Sequence, residues 1–355
     1  MTYDTVQIVQ RLAPGGIEVL ALQLSRALPG RNAIVSLEGD PEALRRAWPH
    51  LSTSGVDVFA MGKADGVDLG MLWRLRAFLR VHRPRTVFTH HIGPLLYGGL
   101  AARLANTRNI VHVEHDIWHH TAPRRAQQLK LAAAIVRPTF AAISPAAAAA
   151  LRRTTGVRTV VLLPNGVDLA AYAGGTRQEA RAALGLPPQA RVIGTVGRLE
   201  PVKGHDVLIR ALARLPVDVC LAMIGDGSRR EELTYLVQQL GLSDRVRFAG
   251  HRDDVTRLYP AFDVFCLPSR REGVPLAVIE AQASGIPVVA TDVGSVRDAL
   301  CPETARLVPS EDPAALAQAL DAAFAGGAAV SPRAFVERSF DWDATVRRYT
   351  ILAKG

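Results

Sequence analysis

The stretch RVIGTVGRLEPVKGHDVLIRAL, residues 191–212, is one strand and one helix in a row. Val192, Ile193, Thr195 and Val196 form a short, mostly apolar β-branched run that stops at Gly197. A turn containing Pro201 and Gly204 follows, and over 204–214 the apolar residues recur with helical spacing. A strand with apolar residues on both faces must be covered on both faces. A helix directly after it supplies one cover and carries the chain back for the next parallel strand.

The unit repeats along the whole chain. In the first half the strand candidates are 5–10, 32–37, 56–60, 85–90, 109–114, 139–144 and 159–164, with helical stretches at 17–28, 69–82 and 124–136 between some of them. The pattern restarts with strands at 191–197, 219–225, 245–250, 263–268, 287–291 and 305–309 and helices at 204–214, 228–240, 274–284 and 312–324. This predicts an α/β protein of two doubly wound, Rossmann-like domains, joined near LPNGVD (163–168), where Pro-Asn-Gly is turn chemistry. Ligands of such sheets bind beyond the carboxyl ends of the strands, and two such domains are expected to face each other across a cleft.

Composition narrows the class. The 355 residues are 48% hydrophobic, with no run of eighteen apolar residues, so two cores and no membrane span are expected. MTYDTVQIVQ lacks a basic region followed by an apolar one, so no signal peptide is read there. Cys220, Cys266 and Cys301 form neither a CxxC pair nor an even framework, which points to a reducing, cytoplasmic compartment. The net charge is +9, and residues 1–163 hold 20 basic against 10 acidic side chains. That imbalance suits an anionic partner, although the preference for Arg (38) over Lys (4) is equally a compositional habit of the chain.

Three loops carry chemistry. Gly15-Gly16 follows the first strand and enters a helix, where backbone can approach an anion; it also serves as a plain helix-entry turn. It is not GxGxxG, which disfavours a dinucleotide dehydrogenase. Arg198 and Lys203 lie just past the strand of 191–197, in place for a diphosphate or as solvated surface charges. In REGVPLAVIEAQASG, Glu272-Gly273 is a loop and Pro275 suits the first turn of a helix. The N–H groups of Gly273 and Val274 are then open to phosphate oxygens. Glu280 sits among Val278, Ile279, Ala281 and Ala283, where its carboxylate needs donors: a ribose diol, or an ion pair with an arginine.

Glu272 to Glu280 is an E-x7-E element, and it resembles that of glycosyltransferase family 4, the retaining nucleotide-sugar enzymes of the GT-B fold. APGGIE, VEHD, LPNGVD, GRLEPVKG, IGDGSRREEL, FAGHRDDV, DVFCLPSRREG and GIPVVATDVG fall in that family's order. The resemblance implies a GT-B fold with an acceptor-binding domain at 1–164, a nucleotide-sugar-binding domain at 165–331, and a segment 332–355 packing back across the boundary. It implies that Arg198 and Lys203 bind the donor diphosphate, Glu280 the ribose hydroxyls, and Glu272 the donor sugar, where it stabilises positive charge. Main chain of Gly273, Val274 and Pro275 would also meet the donor. The base would pack near Gly250, His251 and Arg252, Gly15 and Gly16 would approach the phosphates and acceptor, and His115 would touch the sugar from across the cleft. Gln282 stands where the family commonly has Met, and Asp298 where a Glu is common.

The implied activity is metal-independent, retaining transfer of a hexose from a UDP- or GDP-sugar to a lipid-linked or saccharide acceptor, in bacterial exopolysaccharide, capsule or lipopolysaccharide synthesis. No cofactor is expected, because the nucleotide-sugar is a substrate. A same-fold 2-epimerase or phosphorylase, or a nucleotide-sugar-binding protein without turnover, is the alternative. His90, His91, His112, His115, His119 and His120 could be read as a metal site, but no HExxH or cysteine pattern accompanies them, and structural or substrate contacts explain them better. DWD (341–343) is read as helix capping rather than metal binding. His115-Asp116 has no G-x-S-x-G elbow beside it, which disfavours a hydrolase. Scattered basic residues and the absence of a known module disfavour nucleic acid. The stretch 121–137 is read either as a packed helix or as a basic helix on an anionic inner-membrane surface, with Arg124, Arg125 and Lys130 on headgroups and Leu129 and Leu131 dipping in.

Overall fold

The computed structural model describes residues 2–13, 15–326 and 330–355, and all side chains among them except that of His119. Pro14 of APGGIE and the His119 side chain of the histidine group therefore lie outside the described residues. The chain divides into two compact units: residues up to Asn165 together with Asp343–Gly355, and Gly166–Trp342.

The first unit is built on seven strands: β1 Thr5–Arg11, β2 Asn32–Glu38, β3 Asp57–Ala60, β4 Thr86–His90, β5 Asn109–Glu114, β6 Thr139–Ala142 and β7 Val161–Leu162. They are all parallel, in the order β3-β2-β1-β4-β5-β6-β7. The second unit has six: β8 Arg191–Val196, β9 Val219–Ile224, β10 Val246–Gly250, β11 Val264–Leu267, β12 Val288–Thr291 and β13 Arg306–Val308. These are also parallel, in the order β10-β9-β8-β11-β12-β13. Each sheet reverses its order once, between β1 and β4 and between β8 and β11. Loops leaving neighbouring strands diverge at such a point and leave a crevice at the carboxyl edge.

The cores follow from the apolar strands. Val6, Ile8, Val35, Val87 and Val111 are buried in the first sheet, under helices that contribute Leu75, Leu79, Leu129 and Val136. Ile193, Leu221, Met223, Val264 and Val289 do the same in the second, with Leu208, Leu212 and Leu316. Burying each such side chain stabilises by roughly 1.5–3 kcal/mol, which is why near-continuous apolar strands mark the two sheets.

The last segment divides otherwise than expected. Helix Pro332–Ser339 stays with the second unit, where Arg333 donates to the carbonyls of Ala283 (2.7 Å) and Leu169 (3.1 Å). Only helix Trp342–Lys354 joins the first unit. Its Tyr349 is fully buried with its ring 5.5 Å from that of Phe88, and its Ala353 carbonyl accepts from Thr86 Oγ1 at 2.8 Å. The change of unit thus falls at 342/343, because buried Tyr349 and Thr345 belong to that last helix.

Leu129 corrects the expectation for helix Pro123–Val136. It is fully buried in the core and cannot dip into a membrane. The outward apolar residues of that helix are Leu131 and Ile135, 61% and 50% exposed, beside exposed Arg124, Arg125 and Lys130.

Candidate active site

At the carboxyl edge of the second sheet, the loops after β8 and β11 meet. Lys203 Nζ donates to Glu272 Oε1 at 2.7 Å, and Ser269 Oγ donates to the same oxygen at 2.6 Å. Glu272 is 8% exposed, so its charge rests on these two donors. The backbone behind it is tight. Gly294 has φ +59, and a Cβ there would lie 1.9 Å from the Glu272 carbonyl oxygen. Gly204, with φ +64, would place a Cβ 2.0 Å from the carbonyl oxygen of Pro268. Both positions need glycine for conformation and for space.

Asp206, in the first turn of helix His205–Leu212, ties three loops together. It accepts from Arg229, after β9, at 2.7 Å and from Arg270, after β11, at 3.0 and 2.9 Å. Burial works against its charge, but the two guanidiniums prevail and pull its pKa to about 2. Arg270 also pairs with Glu311. The loop bearing Glu272 is therefore braced on both sides. Arg198 is exposed in the loop after β8, near Glu200.

Pro275 stands one residue earlier in its helix than expected. It caps helix Leu276–Ala283 in an extended conformation (φ −76, ψ 114), and its carbonyl accepts from Val278 N at 3.2 Å. Gly273 is half-buried and Val274 buried in the turn just before it. Among the described residues Glu280 meets no arginine. Tyr259 Oη donates to Glu280 Oε2 at 2.7 Å, and the Tyr172 hydroxyl is a second donor. The two rings meet edge-on at 5.8 Å. Burial raises the Glu280 pKa and the tyrosine hydroxyls partly offset this; part of the residue stays accessible. No spacing in the sequence joins Tyr172 and Tyr259 to Glu280, whereas Ser269 stands three residues before the Glu272 it serves.

At the end of β10, Gly250 has φ +67 and its carbonyl accepts from Gly225 N at 2.8 Å. His251 is exposed beside Asp253 (3.3 Å), and Arg252 makes two 2.7 Å hydrogen bonds to Asp254. Both side chains are thus engaged within their own loop.

The first unit's edge is different. Gly15 caps helix Gly16–Ala27 with φ −159, and a Cβ there would come within 2.5 Å of Glu18 Oε2. Beside it, β4 and β5 end in a buried histidine–carboxylate network. Register pairs Thr89 with His112 and His90 with Val113, so alternate residues go to opposite faces. His115 joins His90 on one face, and Glu114 joins His112 on the other. His90 Nδ1 lies 2.8 Å from His115 Nε2, and His90 Nε2 lies 2.7 Å from Gln7 Oε1. Glu114 Oε2 lies 3.3 Å from His120 Nε2 and 3.8 Å from His112 Nε2, and Oε1 accepts from His115 N at 3.1 Å.

Burial opposes charge throughout this network. It lowers His115 well below the usual histidine range and, with help from His91 and His112, pushes His90 down to about 3. It also works against ionised Glu114, but hydrogen bonds from His112 and His120 hold that carboxyl well below its ordinary value. For His91 burial is outweighed by Asp116, 3.4 Å away, and its pKa rises. His91 has φ +72, an uncommon conformation for a side-chain-bearing residue, and this turns it toward Asp116. One atom each of His91, Glu114 and Asp116 lie within 4.8 Å of one another, close enough to surround a cation, yet each already has a partner within the network.

The family model for glycosyl transferases group 1 matches residues 176–339, and that for glycosyltransferase family 4 matches 14–171. A D-inositol 3-phosphate glycosyltransferase of Mycolicibacterium gilvum is 42% identical over 193 residues, which cover 51% of this chain and 43% of that protein. The match thus spans less than half of that relative's length. Among solved structures, Anabaena HepE with UDP and glucose superposes with a TM-score of 0.83 at 22% identity, over 99% of this chain and 100% of that one. Sucrose-phosphate synthase of Thermosynechococcus elongatus gives 0.79 at 24% identity, over 99% and 98%. At these identities the likeness is one of fold.

Proposed function

Because this chain belongs to the group 1, family 4 glycosyltransferases, we propose that it transfers a hexose from a UDP- or GDP-sugar, with retention and without a metal, to a lipid-linked or saccharide acceptor. The observation that carries this reading is the Lys203–Glu272–Ser269 cluster at the β8/β11 reversal of the second sheet.

A sugar leaving its diphosphate develops positive charge at the anomeric carbon and negative charge on the phosphate. Lys203 and Glu272 supply opposite charges side by side for these two needs. They neutralise each other across 2.7 Å. An arriving diphosphate draws Lys203, with exposed Arg198 beside it, and leaves the Glu272 carboxylate for the sugar. The turn of Gly273, Val274 and Pro275 presents backbone at a helix N-terminus, suited to phosphate oxygens. Glu280 keeps acceptor capacity beyond what Tyr259 and Tyr172 use, and a ribose diol supplies matching donors. The base rests on the backbone of Gly250, His251 and Arg252. In the first unit, Gly15 and Gly16 serve the acceptor or phosphates, and His115 a substrate hydroxyl.

The acceptor is proposed to belong to bacterial surface-polysaccharide synthesis, with the exposed Arg124, Arg125, Lys130, Leu131 and Ile135 resting on an anionic membrane surface in the cytoplasm. No helix among the described residues is long and apolar enough to cross a membrane. The name of the mycobacterial relative supports a second acceptor, a phosphorylated polyol.

The test is incubation of purified protein with UDP- and GDP-hexoses and each acceptor class, with product analysis by mass and anomeric configuration. Transfer with retention, undiminished by a chelator, is expected. Epimerised donor, free sugar phosphate, or binding without reaction would replace this reading with an epimerase, a phosphorylase or a binding protein.

A further inference from the structure

We infer that Gln7 and His90 are positioning residues that hold His115 as the neutral tautomer protonated on Nε2, leaving its Nδ1 as a bare acceptor for a substrate hydroxyl. Gln7, His90 and His115 come from β1, from β4 and from the loop after β5, and parallel register puts them on one face. Gln7 pairs with Phe88, two residues before His90, and His90 pairs with Val113, two residues before His115. All three side chains are buried.

The chain of contacts has one direction. Gln7 Oε1 is a carbonyl oxygen and only accepts, so His90 Nε2, 2.7 Å away, carries the hydrogen. Neutral His90 then has no hydrogen on Nδ1. That atom accepts from His115 Nε2 at 2.8 Å, so His115 carries its hydrogen there. A neutral imidazole has only one, and His115 Nδ1 is left with a lone pair. Burial of both rings disfavours the doubly protonated form that would break this logic. His115 is 3% exposed, and its Nδ1 has no hydrogen-bond partner among the described residues. A buried acceptor without a donor is costly, and a ligand O–H relieves the cost. A phosphate or carboxylate oxygen cannot, since it too only accepts. The relay thereby selects a hydroxyl at this point. That the hydroxyl belongs to a sugar donor or acceptor rests on the reading proposed above; the tautomer does not.

The experiment is long-range proton–nitrogen correlation of the histidine rings in full-length, ligand-free protein at neutral pH, with His115 assigned through His115→Gln. A protonated Nε2 and bare Nδ1 on His115 are expected. Gln7→Leu, close in size, removes the acceptor that sets the direction, and so should mix the two tautomers. It should also lower kcat/KM for transfer by about tenfold, one hydrogen bond's worth, with nucleotide affinity unchanged. His90→Phe should do the same, with thermal unfolding followed to show that each variant is folded. A hydrogen on Nδ1 in the wild type, or an unaltered His115 tautomer in folded Gln7→Leu, overturns the inference. The tautomer is read without turnover, so a wild type that transfers no sugar counts against the proposed function while the spectra still decide the relay.

Discussion

The carboxyl edges of the two sheets solve one problem in opposite ways. Each collects loops at a strand-order reversal, and each must hold charged or polar groups there. The second unit does it with few groups, each acid held by one or two donors of its own: Glu272 by Lys203 and Ser269, Asp206 by Arg229 and Arg270, Glu280 by two tyrosines. The first unit sinks a network of histidines and acids into the sheet itself, where His90, His112 and Glu114 have no exposed surface. An edge of exposed loops tolerates full charges because water and ligand can reach them. A network inside the sheet must instead be neutral or fully paired, and burial there holds His90 and His115 below the ordinary histidine value.

The widest gap between the edges should appear at Glu272. Glu272→Gln is expected to lower kcat by roughly 10²–10³-fold, with nucleotide affinity within a few fold of wild type. Steady-state kinetics and calorimetry with UDP and GDP would measure it, and an unchanged kcat would remove this edge from the chemistry. Glu280→Ala should act the other way round. It loses hydrogen bonds to a charged group and so should weaken nucleoside diphosphate binding roughly 10–100-fold, with a smaller effect on turnover; equal effects on both would merge the two glutamates' duties.

Gly294→Ala tests the frame. At φ +59, and with the Glu272 carbonyl 1.9 Å from the new Cβ, it should destabilise by about 1–3 kcal/mol. Activity should fall with it, because the displaced loop carries Glu272. An unshifted melting temperature would show the loop to be free to move.

Group by group, the smallest effect is in acid. His90 and His115 have pKa values below the ordinary one in the folded state, for His90 about 3. His205, in the second unit, is pushed to about 4 by burial and Lys203. As pH falls below about 6.5, the unfolded chain binds protons that the folded one refuses, so stability declines by up to about 1.4 kcal/mol per pH unit for each such group. His91, with a raised pKa, has the opposite sign. Its stabilising contribution is fully present below the unfolded value and is lost as pH rises through the folded one. Scanning calorimetry from about pH 7 to about pH 5 should show a falling melting temperature, more steeply for the first unit with its two such histidines. A flat profile would cancel that distinction between the units.

Every strand expected from a β-branched run is present, most within one or two residues of the predicted ends. The exception in extent is β7, expected over 159–164 and reduced to Val161–Leu162. It is an edge strand bonded only to β6, so little holds its ends. The second unit's site was legible because its charged residues interrupt apolar surroundings: Glu280 stands out among Val278, Ile279 and Ala281. The first unit's network was visible only as an abundance of histidines, since composition says nothing of which ring meets which.

By itself, the amino-acid order determined the alternation of strands and helices, the restart of the pattern in the second half, and the glutamates eight positions apart. Those are local facts, set by side-chain branching, apolar period and turn residues over a few positions. The tertiary structure alone decided the partners. Tyr259 reaches Glu280 across 21 positions, Lys203 reaches Glu272 across 69, and Gln7 reaches His90 across 83. Each of these contacts depends on strand order and parallel register, which arise from packing whole elements against one another. A two-residue period tells which face a side chain takes, and only the assembled sheet tells what it finds there.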